Sequence, residues 1–322
     1  MEKSMKHIIA IFLISSLMTI SASAQNAQFS QYMFNNIYNN PAYSGVEGYT
    51  KLSLFHRSQW AGYSTTANDP GVAPTTQLVT ITSPIMRFNT GFGAYVMNDR
   101  VGAQNITQIQ TSAAYHLGIK DAKLSLGIRA GVITQSVNKD AYRAIYEDDP
   151  TITESLSTQT RPDFSMGINF QHEDFYIGAA FNHMIEAEFD FGIDNVRNPY
   201  PKEILVTGGY TFPVTYDINI TPSFLVRTTE FSSYTFDISA VAEYKEKIWG
   251  GLSFRQQDAV IVMLGYSFFK DNSLRFGYSF DYTVVAQQAK SATSHEVMIS
   301  YRLPAISTSG KKVVRTPRFR QN

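Results

Sequence analysis

Residues 274–282 read LRFGYSFDY. Leu274, Phe276, Tyr278, Phe280 and Tyr282 fall on one side of an extended chain, and Arg275, Gly277, Ser279 and Asp281 on the other, because successive side chains of a strand alternate between faces. The same period returns in Phe236, Ile238, Ala240, Ala242 and Tyr244 against Asp237, Ser239 and Glu243. It runs through Phe164, Met166, Ile168 and Phe170, and through Leu124, Leu126, Ile128, Ala130 and Val132 against Ser125, Gly127, Arg129 and Gly131. Val297, Ile299, Tyr301 and Leu303 oppose Glu296, Ser300 and Arg302. A chain with this pattern is all-β.

Working outward from these segments, the alternation predicts strands over 50–59, 75–83, 89–97, 106–117, 123–138, 161–171, 175–182, 203–212, 218–227, 234–244, 248–255, 259–269, 274–282 and 294–303. Fourteen is an even number, and most of these segments have the length that a tilted strand needs to cross a bilayer. Every second connection is short and carries turn chemistry: Ser83-Pro84, Lys120-Asp121, His172-Glu173-Asp174, Pro213 and Lys270-Asp271-Asn272. The intervening connections, 60–74, 98–105, 139–160, 183–202, 228–233 and 283–293, are longer, and 256–258 is as short as the turns. Short turns at one end and long loops at the other are what an outer-membrane barrel shows. The alternative is a periplasmic β-sandwich, which alternation alone does not exclude. The polar faces, rich in Gly, Ser, Thr and Asn, and the aromatics at strand ends favour the barrel. We therefore expect a transmembrane antiparallel β-barrel of about fourteen strands over 50–303.

Composition agrees with a wall that faces lipid. Charged residues make up 17% of the 322 residues and aromatics 13%, and the formal net charge is zero. That balance argues against a basic surface for nucleic acid. The absence of cysteine removes disulfide scaffolds, thiolate metal sites and cysteine nucleophiles. Residues 1–24 read as a signal peptide: Lys3 and Lys6 precede an apolar run from Ile8 to Ile20, and Ala22-Ser23-Ala24 supplies the cleavage pattern. The mature chain then starts at Gln25 with a charge of −1. No later stretch is apolar for the 18 or so residues that a membrane helix needs.

Two segments fall outside the strands. Residues 25–49 (QNAQFSQYMFNNIYNNPAYSGVEGY) are rich in Asn and aromatics and do not alternate. They form an arm that packs on the barrel, plugs its lumen or docks on a partner. Residues 304–322 carry Lys311, Lys312, Arg315, Arg318 and Arg320 with no acid, a solvated basic tail. With an even strand count, both termini are expected on the periplasmic side.

Catalytic motifs are missing. His56, His116, His172, His183 and His295 form no H-E-x-x-H. There is no G-x-S-x-G elbow and no phosphate loop. Ser294 and His295 are adjacent on a strand and so face opposite ways, which argues against a hydrolase pair. Glu147, Asp148, Asp149 and Glu154 in one loop, and Glu186, Glu188, Asp190 and Asp194 in another, match no EF-hand spacing and read as solvated acids. We expect no enzyme activity, no cofactor and no metal.

Gln31-Tyr32-Met33-Phe34-Asn35, followed by Asn40-Pro41-Ala42-Tyr43-Ser44-Gly45, resembles the opening of the PorP/SprF family. Arg57-Ser58-Gln59-Trp60-Ala61-Gly62, Asp99-Arg100-Val101-Gly102 after Gly91-Phe92-Gly93, and Ser294-His295-Glu296-Val297 extend the resemblance in the right order across most of the chain. It implies an outer-membrane barrel of the type IX secretion system, in some members also serving gliding motility. Its implied partners are outer-membrane lipid, the periplasmic ring and lipoprotein subunits of that machine, and secreted adhesins with a type B C-terminal domain. The matched positions Gln31, Tyr32, Phe34, Asn35, Asn40, Pro41, Tyr43, Gly45, Arg57, Trp60, Asp99, Gly102, His295 and Glu296 are the candidates for partner binding or plugging. The competing function is an outer-membrane channel for small or hydrophobic solutes.

Overall fold

The computed structural model describes residues 26–63, 73–138, 158–189, 198–230, 233–285 and 291–303. The leader at 1–24, the tail at 304–322 and the acidic run 147–154 lie outside the described residues. The strands are β1 (Lys51–Ser58), β2 (Thr75–Ile85), β3 (Thr90–Val101), β4 (Gln104–Ile119), β5 (Ala122–Val137), β6 (Thr158–Gln171), β7 (Phe175–Asn182), β8 (Glu188–Phe189), β9 (Asn198–Pro199), β10 (Glu203–Tyr210), β11 (Phe212–Pro213), β12 (Ile218–Thr229), β13 (Ser233–Tyr244), β14 (Ile248–Arg255), β15 (Ala259–Phe268), β16 (Leu274–Thr283) and β17 (Thr293–Arg302). Wall strands pair antiparallel with their neighbours in sequence, and β10 skips β11 to pair with β12. The ring closes where β1 meets β17, with Lys51 opposite Arg302 and Ser58 opposite His295. The result is a closed barrel of fourteen strands; β8 and β9 form a separate small ribbon, and β11 is a two-residue addition beside β12.

Closure turns the alternation inside out relative to a soluble sandwich. In β15, Val260, Val262, Leu264, Tyr266 and Phe268 are exposed on the outer wall, while Ile261 and Met263 are buried inside. In β16, Phe276 and Tyr282 face out, and Asp281 and Ser279 face in and are buried. Exposed apolar side chains recur on Ile128 of β5, Ile168 of β6, Ile238 of β13 and Leu252 of β14. Such an outer surface is stable only against hydrocarbon, where a lipid-facing Arg or Lys would cost about 2–4 kcal/mol at the midplane. No helix among the described residues is long and apolar enough to cross a membrane; the strands make the crossing.

The start of β1, the end of β17 and the short turns at 86–89, 120–121, 172–174, 245–247 and 269–273 lie at one end. Lys120 and Asn89 take left-handed backbone there, with φ of 53° and 50°. One connection differs from expectation. The stretch 98–105 is not a long loop, because β3 and β4 run on to a two-residue turn, Gly102-Ala103, with Gly102 at φ 59°. The polar residues that suggested a loop are paired across the hairpin or to β2. Asn98 donates to Asn105 at 2.8 Å, and Thr76 donates to Asp99 at 2.7 Å.

The arm lies inside the ring. It makes three single turns, at Tyr32–Phe34, Asn36–Asn39 and Pro41–Tyr43, before Thr50 leads into β1. Asn40 starts the last of these: its extended backbone stops the preceding turn, its side chain accepts the Ala42 N–H at 2.9 Å, and Pro41 follows. The core is therefore shared between arm and wall. Phe29 and Tyr38 of the arm pack with Phe55, Tyr95, Met97, Trp249, Ile261 and Met298 of the strands.

Candidate functional site: the lumen and its arm

Phe29 to Gln31 cross the lumen beside three buried charges. Arg57 of β1 lies 2.7 Å from Asp281 of β16 and 3.4 Å from Glu296 of β17. Ser30 donates its hydroxyl to Asp281 at 2.6 Å, and its N–H to Glu296 at 2.7 Å; the Gln31 N–H reaches the other oxygen of Glu296 at 3.0 Å. Arg57 also donates to the Ser30 hydroxyl at 2.5 Å. One cation thus faces two carboxylates, and backbone N–H groups of the arm supply part of the remaining compensation. Removing one member of such a buried set leaves the others without compensation. Nearby, Arg255 of β14 donates to the Phe29 carbonyl at 3.0 Å while paired with Asp237 of β13, also at 3.0 Å.

Further along, Tyr32 reaches Ser223 of β12 at 3.1 Å. Phe34 tilts against Trp249 at 4.7 Å. Arg129 of β5 donates to the carbonyls of Ile37 and Tyr38 at 3.2 and 2.7 Å, and Asn182 of β7 donates to that of Asn39 at 3.0 Å. Asn40 caps the carbonyls of Ile168 and Ala179 on β6 and β7, at 3.0 and 3.2 Å. His116 of β4 contacts the Ser44 carbonyl at 2.9 Å.

In the last part of the arm, backbone rides on backbone. A Cβ on Gly127 of β5 would collide with Pro41 and Ala42, and one on Gly91 of β3 with Ser44. Gly45 turns the chain at φ 68°, its N–H on Thr82 at 2.6 Å. Tyr43 meets Tyr176 edge-on. Glu47 then pairs with Lys51. Burial pushes its carboxyl up, but the charge and hydrogen bond of Lys51 outweigh burial and hold it below its usual value.

The arm spans the whole lumen. Asn26, Ala27 and Gln28 line a cavity with Gln59, Trp60 and Asp99, all at the end away from the short turns. Both termini were expected at the short-turn end. The start of β1 and the end of β17 do lie there, but the described N-terminal residues lie at the opposite end, because the arm enters beside Lys51 and runs up through the barrel.

Most of the candidates converge on this lumen. Gln31, Tyr32, Phe34, Asn35, Asn40, Pro41, Tyr43 and Gly45 belong to the arm, and Arg57 and Glu296 hold it. Trp60 and Asp99 line the cavity at its far end, and Gly102 makes the nearby hairpin turn. His295 does not join them; it sits on the outer side, Nδ1 2.7 Å from the Tyr278 hydroxyl. The residues not anticipated as partners are Ser30, Asp281, Arg129, Asn182, Trp249 and Arg255. Arg129 and Asp281 were visible as charges on a polar strand face; nothing in the local pattern singled out Ser30.

No catalytic set emerges among the described residues. His183 lies 3.1 Å from Asp163, but the nearby Ser165 hydroxyl accepts the His183 backbone N–H rather than meeting its ring. No three His, Asp or Glu side chains among the described residues converge as a metal site would need.

A family model described as type IX secretion system membrane protein PorP/SprF matches residues 21–301. The chain belongs to the PorP/SprF family. Among curated proteins, none matches. Among solved structures, the chain is similar to the Ralstonia pickettii toluene transporter TbuX, with a TM-score of 0.52 and 12% identity over 83% of this chain and 93% of that one. A deletion mutant of TodX, a monoaromatic hydrocarbon channel, gives a TM-score of 0.50 and 10% identity over 82% of this chain and 93% of that one. At these identities the likeness concerns the fold, that of an outer-membrane β-barrel.

Proposed function

We propose that this PorP/SprF chain is a non-catalytic outer-membrane anchor of the type IX secretion machinery. In this reading the short-turn end and the basic tail face the periplasm, where ring and lipoprotein subunits dock. The long connections face outward, where an exported adhesin with a type B C-terminal domain is held at the surface. The observation that carries the reading is the filled lumen. Neutral and charged bonds tie the arm to β1, β5, β7, β12, β14, β16 and β17, which suits a scaffold better than a pore. Deleting the gene should block export or surface display of particular substrates while leaving other outer-membrane proteins in place; unaltered display of every surface protein would overturn it.

The likeness in fold to a toluene transporter and a monoaromatic hydrocarbon channel supports a second reading, a channel for small or hydrophobic solutes. Purified protein in liposomes distinguishes the two. Solute uptake by the native chain supports the channel, and uptake only after the arm is removed supports the anchor.

A further inference from the structure

The cavity at the long-connection end has a volume of about 420 Å³ and is floored by the arm. Its wall holds a carboxylate in an unusual position. Asp99 is 7% exposed, and Thr76 donates to one of its oxygens at 2.7 Å. Among the described residues no cation lies within ion-pair distance of it. Among the described residues the one guanidinium lining the cavity is Arg255, shared between Asp237 at 3.0 Å and Asp258 at 3.5 Å, and its Nη2 donates to the Phe29 carbonyl. Below, Arg57 is outnumbered by Asp281 and Glu296. Among the described residues around this cavity, the carboxylates of Asp99, Asp237, Asp258, Asp281 and Glu296 outnumber the guanidiniums of Arg57 and Arg255, and a carboxylate so withdrawn from water is stabilised by a matching cation.

The other lining groups suit an organic cation attached to a polypeptide. Trp60 supplies an indole, and aromatic faces attract ammonium and guanidinium groups. Gln256 and Gln257 supply amides of the kind that pair with peptide backbone, and the Gln256 Oε1 is buried without a hydrogen-bond partner. A divalent ion would require several converging carboxylates or histidines, and none converge among the described residues. We propose that this cavity binds a lysine or arginine side chain of a polypeptide presented at the long-connection end. That the polypeptide arrives from outside the cell rests on the orientation in the preceding section.

The test uses the full-length chain in detergent micelles, titrated by calorimetry or saturation-transfer NMR with acetyl-Gly-Lys-Gly-amide, its arginine analogue and its norleucine analogue. The two basic peptides should bind at least tenfold more tightly than the norleucine peptide, and binding should weaken as salt is raised. Asp99→Asn should remove the preference, and Asp217→Asn, at the opposite end, should keep it. Equal binding of the basic and neutral peptides by the native chain overturns the site, whether or not Asp99→Asn folds. An unchanged preference in folded Asp99→Asn overturns it as well. Because the chain has no cysteine, single cysteines report sidedness. With an impermeant maleimide, Glu230→Cys, at the exposed β12–β13 turn of the long-connection end, should react in intact cells, and Tyr216→Cys only after permeabilisation. The reverse pattern with peptide binding intact would overturn the outward orientation and leave the site standing.

Discussion

Around Pro41–Gly45 the arm meets bare backbone, whereas around Phe29–Gln31 it meets buried charge. The first stretch approaches β3 and β5 so closely that Gly91 and Gly127 cannot carry a side chain, and its polar groups are met by the side chains of Asn40 and Thr82 and by the ring of His116. The second is held by Arg57, Asp281, Glu296 and Arg255. Glycine appears there too, but Gly265 and Gly277 make room for the side chains of Trp249 and Gln31 rather than for backbone. Shape complementarity tolerates changes of pH and salt. A buried charge set is intolerant of losing any one member. The contrast teaches that the segment is fixed in position at one stretch and fixed in register at the other.

The sharpest way to break the comparison is Arg57→Leu. It leaves Asp281 and Glu296 buried without their cation, and breaking such a set costs about 3–5 kcal/mol. The denaturant concentration at which the barrel loses its heat-modifiable gel migration should fall, and protease should reach residues 26–34 before 40–45. Gly127→Val attacks the other stretch. Overpacking costs about 1–3 kcal/mol, so hydrogen exchange should rise at Pro41–Gly45 and leave Ser30 and Gln31 protected. If both variants loosen the whole arm equally, the two stretches are one cooperative unit.

The smallest effect concerns pH. The folded carboxyl of Glu47 lies below the ordinary value of 4.5. Its pair with Lys51 therefore contributes in full above that value and is lost as the pH falls through the lower, folded value. The half-buried pair is worth up to about 1 kcal/mol. Exchange near Glu47 should rise with acidification in the native chain and show no such rise in Glu47→Gln.

Much of the wall was legible because the side-chain period of a strand leaves its mark wherever one face meets lipid. Leu274 to Tyr282 shows it without interruption. The boundary at 98–105 was not legible, since Asn98, Asp99 and Asn105 resemble loop residues, and only their pairing partners reveal a hairpin that continues. The anchor was half legible. Alternation puts Glu296 inside and His295 outside, so a motif containing both had to divide between lumen and outer wall. That Arg57 faces Glu296 follows from the seam between the first and last strands, a register that no local pattern specifies.

The arm precedes β1 directly, and β1 is one edge of the seam that closes the ring. Only a few residues separate Gly45 from Lys51, so the arm is tethered to the wall at the seam and cannot leave when its bonds open. Once loosened it stays at the mouth of the barrel at a high effective concentration. Its return is then an intramolecular event, independent of how much of the protein is present: the lumen is closed by a stopper on a short leash.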